Sequence, residues 1–97
     1  MSKFRVSRKA VSDLRSIARY TQQEWGAAQR RKYLDGLNLS FQRLADMPHL
    51  APERFEIDPP VRIFMHQSHL IVYVEDDNGI MILRVRHQSE DWSDNPL

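Results

Sequence analysis

The spacing of apolar residues along this chain changes twice, and each change predicts a new kind of element. Lys3 to Val6 alternates as KFRV, which puts Phe4 and Val6 on one face of a short first strand. Ser7 then suits a helix N-cap. From Arg8 the spacing lengthens: Val11, Leu14, Ile17, Ala18, Thr21 and Trp25 recur every three or four residues, the stripe of an amphipathic helix of about 18 residues. Gly26 breaks that stripe and permits a reversal. A second helix follows from about Ala27 to Met47, with Leu34, Leu37, Phe41 and Leu44 facing inward and Tyr33 beside them. Gly36, unfavourable inside a helix, predicts close packing of the two helices, and Pro48 ends the second one.

Four of the five prolines fall between Pro48 and Pro60, so this segment reads as a constrained loop, with Phe55 and Ile57 tucked against the core. From Val61 to His87 the period drops to two. Three antiparallel strands are predicted, the last two joined by Asp77-Asn78-Gly79, where Asn-Gly supplies the positive φ angles of a tight turn. Gln88 to Leu97 reads as a polar tail. The order is β-α-α-β-β-β: a single α+β domain over residues 1–97, in which an N-terminal strand and a three-stranded meander form one twisted sheet with a helical hairpin on one face. Two helices cover one face only, which leaves the other as a candidate binding surface.

Composition narrows the chemistry. There is no cysteine, so disulfide frameworks, thiol nucleophiles and thiolate metal sites are excluded. No apolar run of membrane-spanning length and no signal-peptide pattern is present, and a cytoplasmic protein is expected. The net charge of +1 conceals an asymmetry. Residues 1–43 hold ten Lys/Arg against three carboxylates, a balance of +7, whereas residues 44–97 balance at −6. The basic half suits phosphate or an acidic protein segment, although solvated helix faces carry such charges too.

Catalytic signatures are missing: no phosphate-cradling glycine loop, nucleophile elbow or His-Glu-x-x-His occurs. No metal or other cofactor is expected, and His66 and His69 read as solvated turn residues. The densest chemistry is Arg62, Arg84, Arg86 and His87. Arginine forks bind phosphate or carboxylate and histidine moves protons near neutral pH. Arg84 and Arg86 share a strand face that His87 does not, unless a bulge intervenes. The plainer alternative pairs these cations with Glu90, Asp91 and Asp94. Among the aromatics, Trp25 and Tyr73 are assigned to the core and Trp92 is left open to stacking.

Together these residues resemble the ParE branch of the RelE/ParE toxin superfamily. The pieces are Ser7-x-x-Ala10-x-x-Asp13-Leu14-x-x-Ile17-x-x-Tyr20, then Trp25-Gly26-x-x-Gln29-x-x-x-Tyr33-x-x-x-Leu37, then Phe41-x-x-Leu44-Ala45-x-x-Pro48, and finally Arg62, His69-Leu70-Ile71-x-Tyr73 and Ile80-x-Ile82-x-Arg84-Val85-x-His87. The resemblance implies a type II toxin that causes growth arrest by inhibiting DNA gyrase, without being an enzyme. Ribonuclease members of the superfamily instead cut messenger RNA on the ribosome; in that case Arg62, Arg84 and His87 would be catalytic. Asp91 and Trp92 stand where such members commonly have a tyrosine, which favours the gyrase reading. A third possibility is a degenerate member that only binds antitoxin and tunes repression.

Arg62, Arg84, Arg86, His87 and Trp92 are then candidates for touching the target. The implied partner is a ParD-like antitoxin forming a hetero-oligomer and contacting DNA on the toxin's behalf, with Arg8, Arg15, Arg19, Arg30, Arg31, Ile80 and Ile82 as candidate contacts. No membrane partner is implied.

Overall fold

A computed structural model describes residues 3–92 and 96–97. Its elements are β1 (Phe4–Val6), α1 (Arg8–Trp25), α2 (Ala27–Asp46), a 3-10 turn at Pro48–Leu50, β2 (Glu53–Arg54), β3 (Val61–His66), β4 (His69–Asp76) and β5 (Gly79–His87). They form the α+β arrangement read from the periodicities. The strands make one five-stranded sheet in the order β1-β5-β4-β3-β2, parallel between β1 and β5 and antiparallel elsewhere. The strand not foreseen is β2, inside the proline-rich loop, where Glu53 and Arg54 pair with Arg62 and Val61. Two residues are too few to show an alternation.

Ser7 caps α1 as expected: its hydroxyl accepts from the Ala10 amide at 3.1 Å and donates to the Leu83 carbonyl at 2.7 Å. One side chain thus satisfies a helix-end donor and ties the helix to β5. Gly26, at φ 91°, links the two helices. Ala10 and Ile17 from α1 and Leu37, Phe41, Leu44 and Ala45 from α2 pack on Ile71, Tyr73, Ile80, Ile82 and Val85 of the sheet. The Tyr73 hydroxyl, within this core, donates to the Pro48 carbonyl at 2.8 Å and so fixes the end of α2.

Three expectations are corrected. Trp25 is 71% exposed rather than in the core, because the α1 stripe runs out past the sheet at its last turn. Phe55 is exposed while Ile57 is buried, so only one of the two loop side chains tucks in. Gly36 marks an approach to the sheet rather than to α1, since a Cβ there would lie 3.5 Å from the His66 ring. Ile57 joins Val61 and Val72, flanked by Ile63, Val74, Leu83 and Leu97, in a second small cluster. The sheet face away from the hairpin is therefore partly closed by the loop and by Leu97.

The β4–β5 turn also differs. Of its residues, Gly79 alone takes a positive φ, at 119°, and Asn78 is held instead by its amide donating to the Asp76 carboxylate at 2.9 Å. Farther along, Tyr73 pairs with Ile82 but Val72 pairs with Arg84, leaving Leu83 as an extra residue. That bulge resets the alternation, so Val85 joins Ile80 and Ile82 on the helix side. His87 comes with it. As a result His66, His69 and His87 lie in direct register across three neighbouring strands.

Candidate functional site

Two concavities flank the hairpin. The larger, about 880 Å³, runs between α1 and α2 over a floor that includes Val11, Leu14, Leu34 and Phe41. Arg15, Arg19 and Arg30 stand at its edges, and among the described residues no carboxylate lines it. Its origin is in the sequence: Ala18 is small, and Leu14 and Leu34 are only partly buried, so the two helices leave apolar surface exposed between them. Arg8 and Arg31 are exposed but do not line this groove. Ile80 and Ile82 cannot be contacts for a partner in this fold. Both are 0% exposed beneath the hairpin, because the strand register puts them on the covered face.

The second concavity lies at the elbow end of the hairpin, against the row of histidines. The Tyr33 hydroxyl and His69 Nδ1 share a hydrogen bond of 2.5 Å, and the His69 ring meets that of His87 edge to face at 5.2 Å. Ser40 bonds His66 Nδ1 at 2.8 Å. Burial pushes the Tyr33 phenol up, so it stays protonated. Burial pulls His69 down to about 4, with the neighbouring His87 acting in the same sense. His66 is lowered by burial. The two turn histidines, read as solvated from sequence, instead join β3 and β4 to α2.

This arrangement gives acid a definite effect. His69 takes up its proton less readily when folded than in the unfolded chain, so stability is complete above its unfolded pKa of about 6.5 and is lost as pH falls toward 4. Urea unfolding is expected to show His69→Gln losing about 1 kcal/mol less than wild type between pH 7.5 and pH 5, a figure discounted for solvent screening. Equal losses in the two proteins would remove His69 from the account.

The cations at the sheet are already engaged. Arg84 makes a two-pronged pair with Asp13 of α1, at 2.7 and 2.9 Å, while the Val85 amide donates to the same carboxylate at 3.0 Å. Arg84 also donates to the Leu97 carbonyl at 3.0 Å. Arg62 donates to the Ala51 carbonyl at 2.7 Å and lies 3.9 Å from Glu53. Arg86 pairs with Glu90 at 2.8 Å, and the other oxygen of Glu90 takes the His87 amide at 3.0 Å. Trp92 lies under the Arg54 guanidinium at 5.8 Å, a cation–π contact.

Arg62, Arg84 and His87 are therefore not gathered around one point. Arg62 is four residues from His66 on β3, roughly 13 Å along the strand from the histidine row. Of the carboxylates offered as partners for these cations, Glu90 pairs with Arg86; Asp94 lies outside the described residues. Asp13 stands in the family pattern, but sequence reasoning missed it as the partner of Arg84, although that signal was available. It falls three residues after Ala10 and four before Ile17, on the sheetward edge of α1, where a carboxylate needs a partner. The Tyr33–His69 bond spans 36 residues and has no local signal.

A helical hairpin on one face of a twisted sheet, open along its outer groove, defines a RelE/ParE-like α+β domain. The same fold is found in the chromosomal ParDE toxin–antitoxin system from P. aeruginosa, with a TM-score of 0.76 over 90% of this chain and 96% of that one at 20% identity. Residues 4–92 match the family described as the ParE toxin of the type II toxin–antitoxin system parDE. The chain belongs to this ParE toxin family. It is 35% identical to Toxin ParE of Escherichia coli over 71 residues, 73% of this chain and 69% of that protein. It is 30% identical to Toxin ParE1 of Caulobacter vibrioides over 89 residues, 92% of each. Among the described residues no helix is long and apolar enough to cross a membrane.

Proposed function

We propose that this chain is a cytoplasmic gyrase inhibitor held inactive by a ParD-like antitoxin whose C-terminal segment occupies the groove between α1 and α2. The observation that carries the antitoxin reading is the groove itself: an apolar floor between arginine edges, with no carboxylate in the lining among the described residues. An amphipathic, acidic segment that folds on binding matches such a surface. The hetero-oligomer would contact operator DNA through the antitoxin. Inhibition of gyrase rather than RNA cleavage is favoured by the state of the cations. Arg84, which a ribonuclease would need for phosphate, is saturated by Asp13, and Arg62 and His87 lie toward opposite ends of the sheet.

The test is a supercoiling and cleavage-complex assay with purified toxin, run beside primer extension on translated messages. Accumulation of cleaved gyrase–DNA complex, suppressed by antitoxin, is expected. Cuts in translated messages that disappear in His87→Ala would replace the gyrase reading with the ribonuclease one, and normal growth on induction without antitoxin would point to a non-toxic co-repressor. For the groove, the double reversal Arg15→Glu with Arg19→Glu is expected to weaken antitoxin binding about 30- to 100-fold by calorimetry. An unchanged affinity would place the antitoxin elsewhere.

A further inference from the structure

The concavity at the hairpin elbow has a composition unlike the rest of the surface. It encloses about 520 Å³, within the range of small-ligand sites, and among the described residues no Asp, Glu, Lys or Arg lines it, in a chain that is 28% charged. Its walls carry five rings: Tyr20 and Trp25 from α1, Tyr33 from α2, and His69 and His87 from the sheet. Tyr20 and Trp25 are 63% and 71% exposed, so these large apolar rings are presented to solvent rather than packed. Between the rings stand neutral groups that donate or accept hydrogen bonds, namely Gln29, Gln67 and Ser68. His69, kept neutral by burial, adds another of this kind. Just outside, Lys32 lies three residues after Gln29 on the same side of α2; it is exposed and makes no ion pair among the described residues.

We propose that the elbow cleft is a binding site for an unpaired base of single-stranded nucleic acid, stacked on Trp25 and Tyr20 and hydrogen-bonded along its edge by the amide, hydroxyl and imidazole groups of the cleft. Exposed rings provide stacking that tolerates any base, because every base has a π face. The neutral polar groups suit a planar ring rich in donors and acceptors, and a charged ligand would find no counter-charge inside. A flanking phosphate would meet Lys32, consistent with the balance of +7 over residues 1–43. The aromatic side chain of a partner protein would use the stacking surface, but it would leave most of the polar groups and Lys32 without a role. The site is separate from the groove between α1 and α2 and does not depend on which target the toxin has.

The chain has two tryptophans, so in a Trp92→Phe background Trp25 is the sole indole and reports directly on stacking. Titration with a ten-nucleotide oligothymidylate and with uridine 5′-monophosphate is expected to quench its fluorescence saturably, while ribose 5-phosphate leaves it unchanged. In anisotropy titrations with the labelled oligonucleotide, Trp25→Ala is expected to weaken binding about tenfold or more. Lys32→Gln is expected to reduce the slope of log affinity against log salt by about 1. Both side chains are exposed, and matching thermal melts would confirm that the variants fold. Absence of quenching would overturn the proposal. So would oligonucleotide affinity unchanged in Trp25→Ala, which would mean binding by charge alone. Quenching by N-acetyl-tyrosinamide at lower concentrations than by uridine 5′-monophosphate would assign the cleft to a protein side chain instead.

Discussion

Asp13→Ala is expected to lower the unfolding free energy by about 3 kcal/mol, measured by urea denaturation at pH 7. The Arg84 and Asp13 side chains are only 18% and 15% exposed, and the carboxylate also serves the Val85 amide at the bulge. Removing Asp13 strands a largely desolvated guanidinium and a strand amide together, a loss in the range measured for broken buried pairs. The pair as a whole contributes far less than the broken half costs, because burying two charges offsets most of their attraction. Asp13→Leu combined with Arg84→Met should therefore regain much of the loss. A fall of less than 1 kcal/mol in Asp13→Ala would show that Arg84 finds other partners in the folded protein.

The second large effect is expected at Gly79. A Cβ built there lies 2.2 Å from the Lys3 carbonyl oxygen, and its φ of 119° is strained for any L side chain. Alanine must either push the start of β1 away, breaking the bond from the Ile80 amide to the Lys3 carbonyl, or refold the β4–β5 turn. We expect a loss of about 3 kcal/mol, seen as a melting temperature lower by roughly 12 °C or more. A shift under about 3 °C would mean that the turn relaxes without disturbing β1.

The elements with long, regular periods were legible because burial of one face imposes the period directly. The α1 stripe, the alternations of β3 to β5 and the Ser7 cap could all be read without coordinates. Tyr73 was correctly placed in the core, where its hydroxyl finds the Pro48 carbonyl. What escaped depends on contacts that no local window contains. Trp25 sits in phase with the α1 stripe yet projects past the sheet, since phase reports direction but not whether anything lies opposite. The bulge at Leu83 moved His87 onto the face of His69, and alternation alone gave the other face. The groove between the helices was legible only as apolar stripes and scattered arginines; which arginines line it depends on how the helices cross.

The pairing of β1 with β5 also sets a schedule for folding. Phe4, Arg5 and Val6 find their partners at Ile80, Met81 and Ile82, and Asp13 meets Arg84 71 residues away. During synthesis the first strand and the capped end of α1 must wait for nearly the whole chain before the sheet can close, whereas the helical hairpin needs only its own residues. The surface proposed for the antitoxin is therefore built from the segment made first and from local contacts. The elbow cleft needs His87 and is completed last. A neutraliser present during translation would meet its half of the molecule before the other surface exists.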